Sequence, residues 1–269
     1  MTAHELFQKG SLREAVAAAL DDVKKHPGDA GMRAFLAELL CFSGDLERAD
    51  RQLDALSGKD PDAVIEVAAF RLLIRAEQAR QQFYSAGRLP EFLDHDITPA
   101  LRLHLEASVL LRDGKQAEAA AVLAKAQEER AKVAGTCNGK PFEDFCDLDD
   151  LTSSFFEVLT NKGEYFWIPF GRVESLVFVA PARPRDLLWR RAHMIIRNGP
   201  DAEVFLPVLY AGSSGDANDP IRLGRATDWR GEAGVPMRGF GQRVFLAGEE
   251  DHPILEVQKL ELAATSVGA

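Results

Sequence analysis

The sequence predicts an α+β fold in which an all-α, repeat-built N-terminal part precedes a mostly antiparallel β part with one short helix. Three observations carry this. Apolar residues recur at helical spacing through the first 134 residues, a glycine–alanine signature repeats there, and beyond Cys137 short aromatic and β-branched runs stand between Gly and Pro. The expected domains are 1–134 and 135–269.

In the first part the segments LREAVAAALDDV, MRAFLAELLCF, AVIEVAAFRLLI and LRLHLEASVLL have the composition and spacing of amphipathic helices. Gly10, Gly44 and Gly114 are each followed five positions later by an alanine: Ala15, Ala49 and Ala119. Twelve positions before each of these stands another alanine, Ala3, Ala37 and Ala107, and twelve after the first two stand Pro27 and Pro61. A small residue in each helix lets a pair cross closely, glycine permits the turn, and proline stops the second helix. The pattern resembles the tetratricopeptide repeat. It places a truncated unit at 1–29, a full one at 30–63, a degenerate one near 64–99 with its turn displaced to Ala86–Pro90, and another at 100–133.

Residues 131–141, AKVAGTCNGKP, read as a linker, and DLDDLTSSFFEVLT as a short helix. EYFWIPF, ESLVFVA, AHMIIR, EVFLPVLY, RVFLAG and ILEVQKLEL then read as strands. Asn198-Gly199-Pro200-Asp201 marks a hairpin connection. Short strands without long helices between them predict a small barrel or rolled sheet.

The composition, 46% hydrophobic and 28% charged over 269 residues, is that of a soluble globular chain. A net charge of -10 argues against binding to nucleic acid. No leader-like segment opens the sequence, and no window approaches the roughly 18 apolar residues of a membrane span, so a cytoplasmic protein without membrane contact is expected. Cys41, Cys137 and Cys146 form no CxxC pair and read as plain thiols. The histidines, His4, His26, His95, His104, His193 and His252, show no ligand spacing, and no P-loop or complete dinucleotide fingerprint is present; no metal or cofactor is expected. Asp149 or Asp150 suits a helix cap better than a phosphoryl-accepting aspartate, which would need a buried apolar strand before it. Glu91-Phe-Leu-Asp94-His95-Asp96 reads as a solvated helix end, and Ser213-Ser214 as part of a polar loop.

Two segments mix arginine, aspartate and tryptophan: Arg183, Arg185, Asp186 and Trp189 in PARPRDLLWRRA, and Arg222, Arg225, Asp228 and Trp229 forty residues on. Guanidinium groups bridge carboxylates bidentately and stack on indoles, so these residues are expected to form a structural clamp. The competing reading is an enzyme whose site lies around Arg185, Asp186, Arg225 and Asp228. A repeat solenoid usually takes a peptide helix on the face lined by the first helix of each unit. Counting from the repeat starts, that face would carry Glu38, Phe42, Leu72, Arg75, His104, Ser108 and Arg112.

The second half resembles the ImpE/TagJ family of SciE-type virulence proteins. The matching residues are Asp147-Leu-Asp-Asp150, Gly163-Glu-Tyr-Phe-Trp-Ile-Pro169, Arg183-Pro-Arg-Asp-Leu-Leu-Trp189, Leu206-Pro-Val-Leu-Tyr210, Arg222-Leu-Gly-Arg-Ala-Thr-Asp-Trp229 and Gly239-Phe-Gly-Gln-Arg243. The resemblance implies a non-enzymatic accessory of bacterial type VI secretion. It would bind the N-terminal helix of the small contractile-sheath subunit and act near the AAA+ ATPase that disassembles contracted sheaths.

Overall fold

The computed structural model describes residues 1–56, 61–93 and 97–264; Asp94, His95 and Asp96 of the expected polar helix end lie outside the described residues. Among the described residues seven helices open the chain: α1 (Ala3–Lys9), α2 (Leu12–Lys25), α3 (Ala30–Phe42), α4 (Leu46–Asp54), α5 (Pro61–Ala86), α6 (Pro99–Arg112) and α7 (Gln116–Glu129). The repeat signature works as its chemistry requires. Gly10, Gly44 and Gly114 hold the left-handed backbone between paired helices, and Ala3, Ala15, Ala37, Ala49, Ala107 and Ala119 are all buried where helices meet. The unit near 64–99 is not a helix pair. Its first helix runs on as the 26-residue α5, and after Gly87 the chain leaves the helical layer to bond β-fashion, Glu91 N–H to Tyr165 O and Trp167 N–H to Glu91 O.

The strands are β1 (Gly135–Cys137), β2 (Lys140–Phe142), β3 (Phe145–Asp147), β4 (Phe155–Leu159), β5 (Tyr165–Pro169), β6 (Val173–Phe178), β7 (Trp189–Ile196), β8 (Asp201–Pro207), β9 (Thr227–Arg230), β10 (Arg238–Gly241), β11 (Val244–Ala247), β12 (Glu250–Pro253) and β13 (Lys259–Leu262), with a four-residue helix α8 (Asp219–Arg222) before β9. Among the described residues eight strands form one antiparallel sheet in the order β2-β1-β13-β6-β7-β8-β4-β5, beside a three-stranded sheet β12-β11-β3 and the pair β10-β9. The large sheet is open, with β2 and β5 at its edges, so the barrel form of the expectation is not adopted.

Two expectations are corrected in detail. The stretch read as a linker is a hairpin: Asn138 and Gly139 both have positive φ, and Cys137 faces Lys140 across a two-residue turn. The segment read as a helix makes only a 3-10 turn over Asp150–Thr152, with Asp149 as its cap, before Phe155–Leu159 enters the sheet. Every residue of β4 is buried, so its apolar run lacks the alternation of a half-exposed strand and mimics a helix core.

The hydrophobic core does not divide at residue 134. One cluster of buried side chains runs from Phe7, Phe35 and Phe42 through Phe70 and Phe83 to Trp167, Phe156 and Phe245. Phe83 meets the Trp167 ring edge-on at 4.8 Å, and Phe155 stacks on the same indole at 4.0 Å.

Candidate functional site: the junction of repeats and sheet

The face that the first helices of the repeats present is where the sheet docks, and ion pairs fix it there. At one end, the 3-10 turn Pro184–Leu187 packs on α3. Arg185 sits 4.7 Å over the Phe70 ring, pairs with Glu66 at 2.5 Å and reaches Glu38 at 3.5 Å. Asp186 closes the turn, accepting from the backbone N–H groups of Ala182 and Arg183 and from the Arg183 guanidinium; Arg183 also pairs with Glu66. Trp189 Nε1 donates to Glu77 at 3.1 Å.

At the other end, the second arginine segment grips the first repeat. Arg225 donates to the carbonyls of Phe7 and Gln8, the open C-terminal end of α1. Ser11, at the N-cap of α2, makes no side-chain cap; Asp219 supplies one from the β part, accepting from Leu12 N–H at 2.7 Å, and Arg222 holds Asp219 in place. Asp228 pairs with Arg230, and Trp229 packs on Tyr210.

Between the two grips lies a buried charge network that sequence reasoning missed. Glu157 of β4 receives Nε and Nη2 of Arg80 at 2.9 and 3.0 Å, the hydroxyls of Tyr84 and Tyr165 at 2.9 and 2.5 Å, and Arg243. Arg80 also donates to Glu77 and to Leu209 O; Arg243 also binds Asp147, which Tyr210 holds by its hydroxyl at 2.7 Å. Burial alone would push the Glu157 carboxyl up, but Arg80 and Arg243 together hold it down at about 2. Asp147 has a single cation beside it, and burial wins, lifting it to about 6. The one signal in the sequence was a charged residue inside the apolar run Ser-Phe-Phe-Glu157-Val-Leu.

This docking decides where the residues expected to line a peptide groove lie. Glu38 and Phe42 are buried, Phe42 against Phe7. His104 is buried against Phe155, its Nε2 2.9 Å from Ser154 Oγ, and burial pushes its imidazole down to about 3, so it is neutral. Ser108 is buried on α6, and Arg112 is tied to the Phe83 carbonyl. Leu72 is half-buried and Arg75 exposed, and both line the approach to Gly163 in the β4–β5 turn.

Among the described residues α5 keeps an apolar surface open at Val64, Ile65 and Ala68, ending where the Gly163 turn meets Leu72 and Arg75. Val64, Ile65, Ala68, Leu72 and Arg75 follow one another on a single face of α5, with Val64 43% and Ile65 68% exposed. Among the described residues no helix is long and apolar enough to cross a membrane, and no group of three or more His, Cys, Asp or Glu side chains is placed to hold a metal ion.

A helical-repeat solenoid bound on one face to an antiparallel β unit defines the class of protein. The family described as ImpE protein matches residues 139–261, and a tetratricopeptide-repeat family matches residues 6–74. Over 265 residues the chain is 31% identical to the type VI secretion system accessory component TagJ of Pseudomonas aeruginosa, covering 98% of this chain and 92% of that protein. The crystal structure of a protein from Vibrio parahaemolyticus superposes with a TM-score of 0.90 at 25% identity, covering 97% of each chain. The chain belongs to the ImpE/TagJ family.

Proposed function

We propose that this protein is a non-enzymatic adaptor of type VI secretion that binds the N-terminal helix of the small sheath subunit and thereby works near the sheath-recycling ATPase. The likeness to an accessory component along nearly the whole chain supports the accessory role, and the open stripe on α5 is the observation that carries the binding mode. An amphipathic helix laid along Val64, Ile65, Ala68 and Leu72 would cover their apolar surface, with Arg75 setting register by charge. Glu38, through Arg185, and His104, through Ser154 and Phe155, then contribute by holding the solenoid to the sheet, while Phe42 and Arg112, the latter with Ser108, hold helix to helix, so that 1–134 and 135–269 act as one body.

Isothermal titration of the full chain with a synthetic peptide of the subunit's N-terminal helix tests this. Micromolar or tighter binding is expected, weakened at least tenfold by Ile65→Asp with no change in melting midpoint. No heat from a folded wild-type chain at high peptide concentration sinks the proposal.

A further inference from the structure

The junction is not filled throughout. A cleft of about 470 Å³ opens between the C-terminal end of α3, the C-terminal part of α5 and the loop that follows β8, a size typical of small-ligand sites, which span roughly 300–1,000 Å³. Its apolar walls are Leu188, Trp189 and Leu209, and its polar groups include Glu77, Arg80 and Gln81.

Charge and hydrogen-bond capacity say what these walls lack. In the buried network three carboxylates, Glu77, Glu157 and Asp147, share two guanidinium groups, Arg80 and Arg243. Arg80 is committed on all three nitrogens, to Glu157, Glu77 and the Leu209 carbonyl, which leaves it little to offer an anion. Arg243 is engaged by Asp147, Glu157 and the Pro207 carbonyl. The carboxylate in excess is the one that borders the cleft. Glu77 accepts one hydrogen bond on each oxygen, from Arg80 and from Trp189, while a carboxylate offers about four acceptor positions. Burial raises its pKa, as expected for an acid short of positive charge. Gln81 brings a side-chain amide without a hydrogen-bond partner among the described residues, its backbone carbonyl and not its side chain accepting from Ser85 Oγ.

We infer that this cleft binds a primary ammonium or guanidinium group carried on an aliphatic stem, the cation on Glu77 and the Gln81 carbonyl, the stem along Leu188 and Leu209. Two sources share that chemistry, a free alkylamine and a lysine or arginine side chain of a partner protein. The inference does not depend on the sheath-helix proposal, which concerns the opposite, exposed end of α5.

The test titrates the full chain with n-pentylamine and with N-acetyl-lysine methylamide, which share the ammonium head group, using N-acetyl-norleucine methylamide as the control that keeps the stem and lacks the ammonium. Binding of either cation at least tenfold tighter than the control is expected; preference for pentylamine assigns the site to a free amine, and preference for the lysine derivative to a side chain. Glu77→Gln is expected to remove at least tenfold of that affinity. Because Glu77 also bonds Trp189 and Arg80, a second variant, Gln81→Trp, fills the cleft without touching the network and is expected to abolish binding. Cations that bind no tighter than the norleucine control, or undiminished binding to folded Gln81→Trp, overturn the inference.

Discussion

Glu157, Arg80 and Arg243 join three distant stretches of chain through charges removed from water. Taking such ions out of solvent is costly, and their mutual attraction compensates only while the set is complete. Removing one member therefore harms the fold more than the loss of a surface ion pair. Arg80→Met is expected to lower the free energy of unfolding by about 3–5 kcal/mol, read from urea denaturation at fixed pH; a change within the range of a surface substitution would contradict the network's weight. Glu38 gives the residue scale a pH signature. Burial lifts its carboxyl from 4.5 to about 7 against the pull of Arg185, so between those values the folded chain holds a proton that the unfolded chain has released. The resulting stability is present in full below about 4.5 and is lost as the pH rises through 7. The loss amounts to up to about 3 kcal/mol. Glu38→Gln is expected to flatten that decline and to raise the melting midpoint at pH 8 above that of the wild type.

At the scale of elements, Asp186 shows how a short turn holds a large interface. Its carboxylate closes the 3-10 turn that aims Arg185 at Glu38 and Glu66. Asp186→Ala leaves two buried-side N–H groups and Arg183 short of a partner, a loss of roughly 1–3 kcal/mol. Calorimetry of the full chain is expected to show a lower midpoint while affinity for the sheath peptide is kept; an unchanged midpoint would move this segment from holding the fold to some other task. Elements whose signal is local were legible in the sequence. The alternation of Gly10, Gly44 and Gly114 with buried alanines placed three helix pairs, and the Asn198–Asp201 turn placed the β7–β8 hairpin. Elements defined by what surrounds them were not. β4 is buried on both faces and lost its period-two pattern, α5 outruns its repeat because the sheet covers its C-terminal half, and the Asn138-Gly139 turn was a local signal obscured by the surrounding small and polar residues. The site suffered most, since the partners of Glu157 lie 77 and 86 residues away in sequence.

Across the whole molecule the continuous core and the grips on α1–α2 and on α3 and α5 couple the helical layer to the sheet. All three tryptophans, Trp167, Trp189 and Trp229, lie in the β part, whereas most of the helix lies before residue 134. Indole fluorescence therefore reports on the sheet and, through Trp167 and Trp189, on its junction with α5, and far-ultraviolet circular dichroism mainly on the solenoid. The two signals are expected to fall together in a single denaturant transition; separated midpoints would show that the layers come apart before they unfold. The long reach of the charge network has a consequence for the chain as it is made. Synthesis delivers Arg80 first, Glu157 77 residues later and Arg243 a further 86 residues on, so the network, and the core it is set in, can close only after nearly the whole chain has left the ribosome. Until the last strands arrive, Phe70 and Phe83 lack the cover that Trp189 and Trp167 give them, and Arg80 lacks Glu157, so ribosome-stalled chains ending before Arg243 are expected to be the form in which chaperones meet this protein.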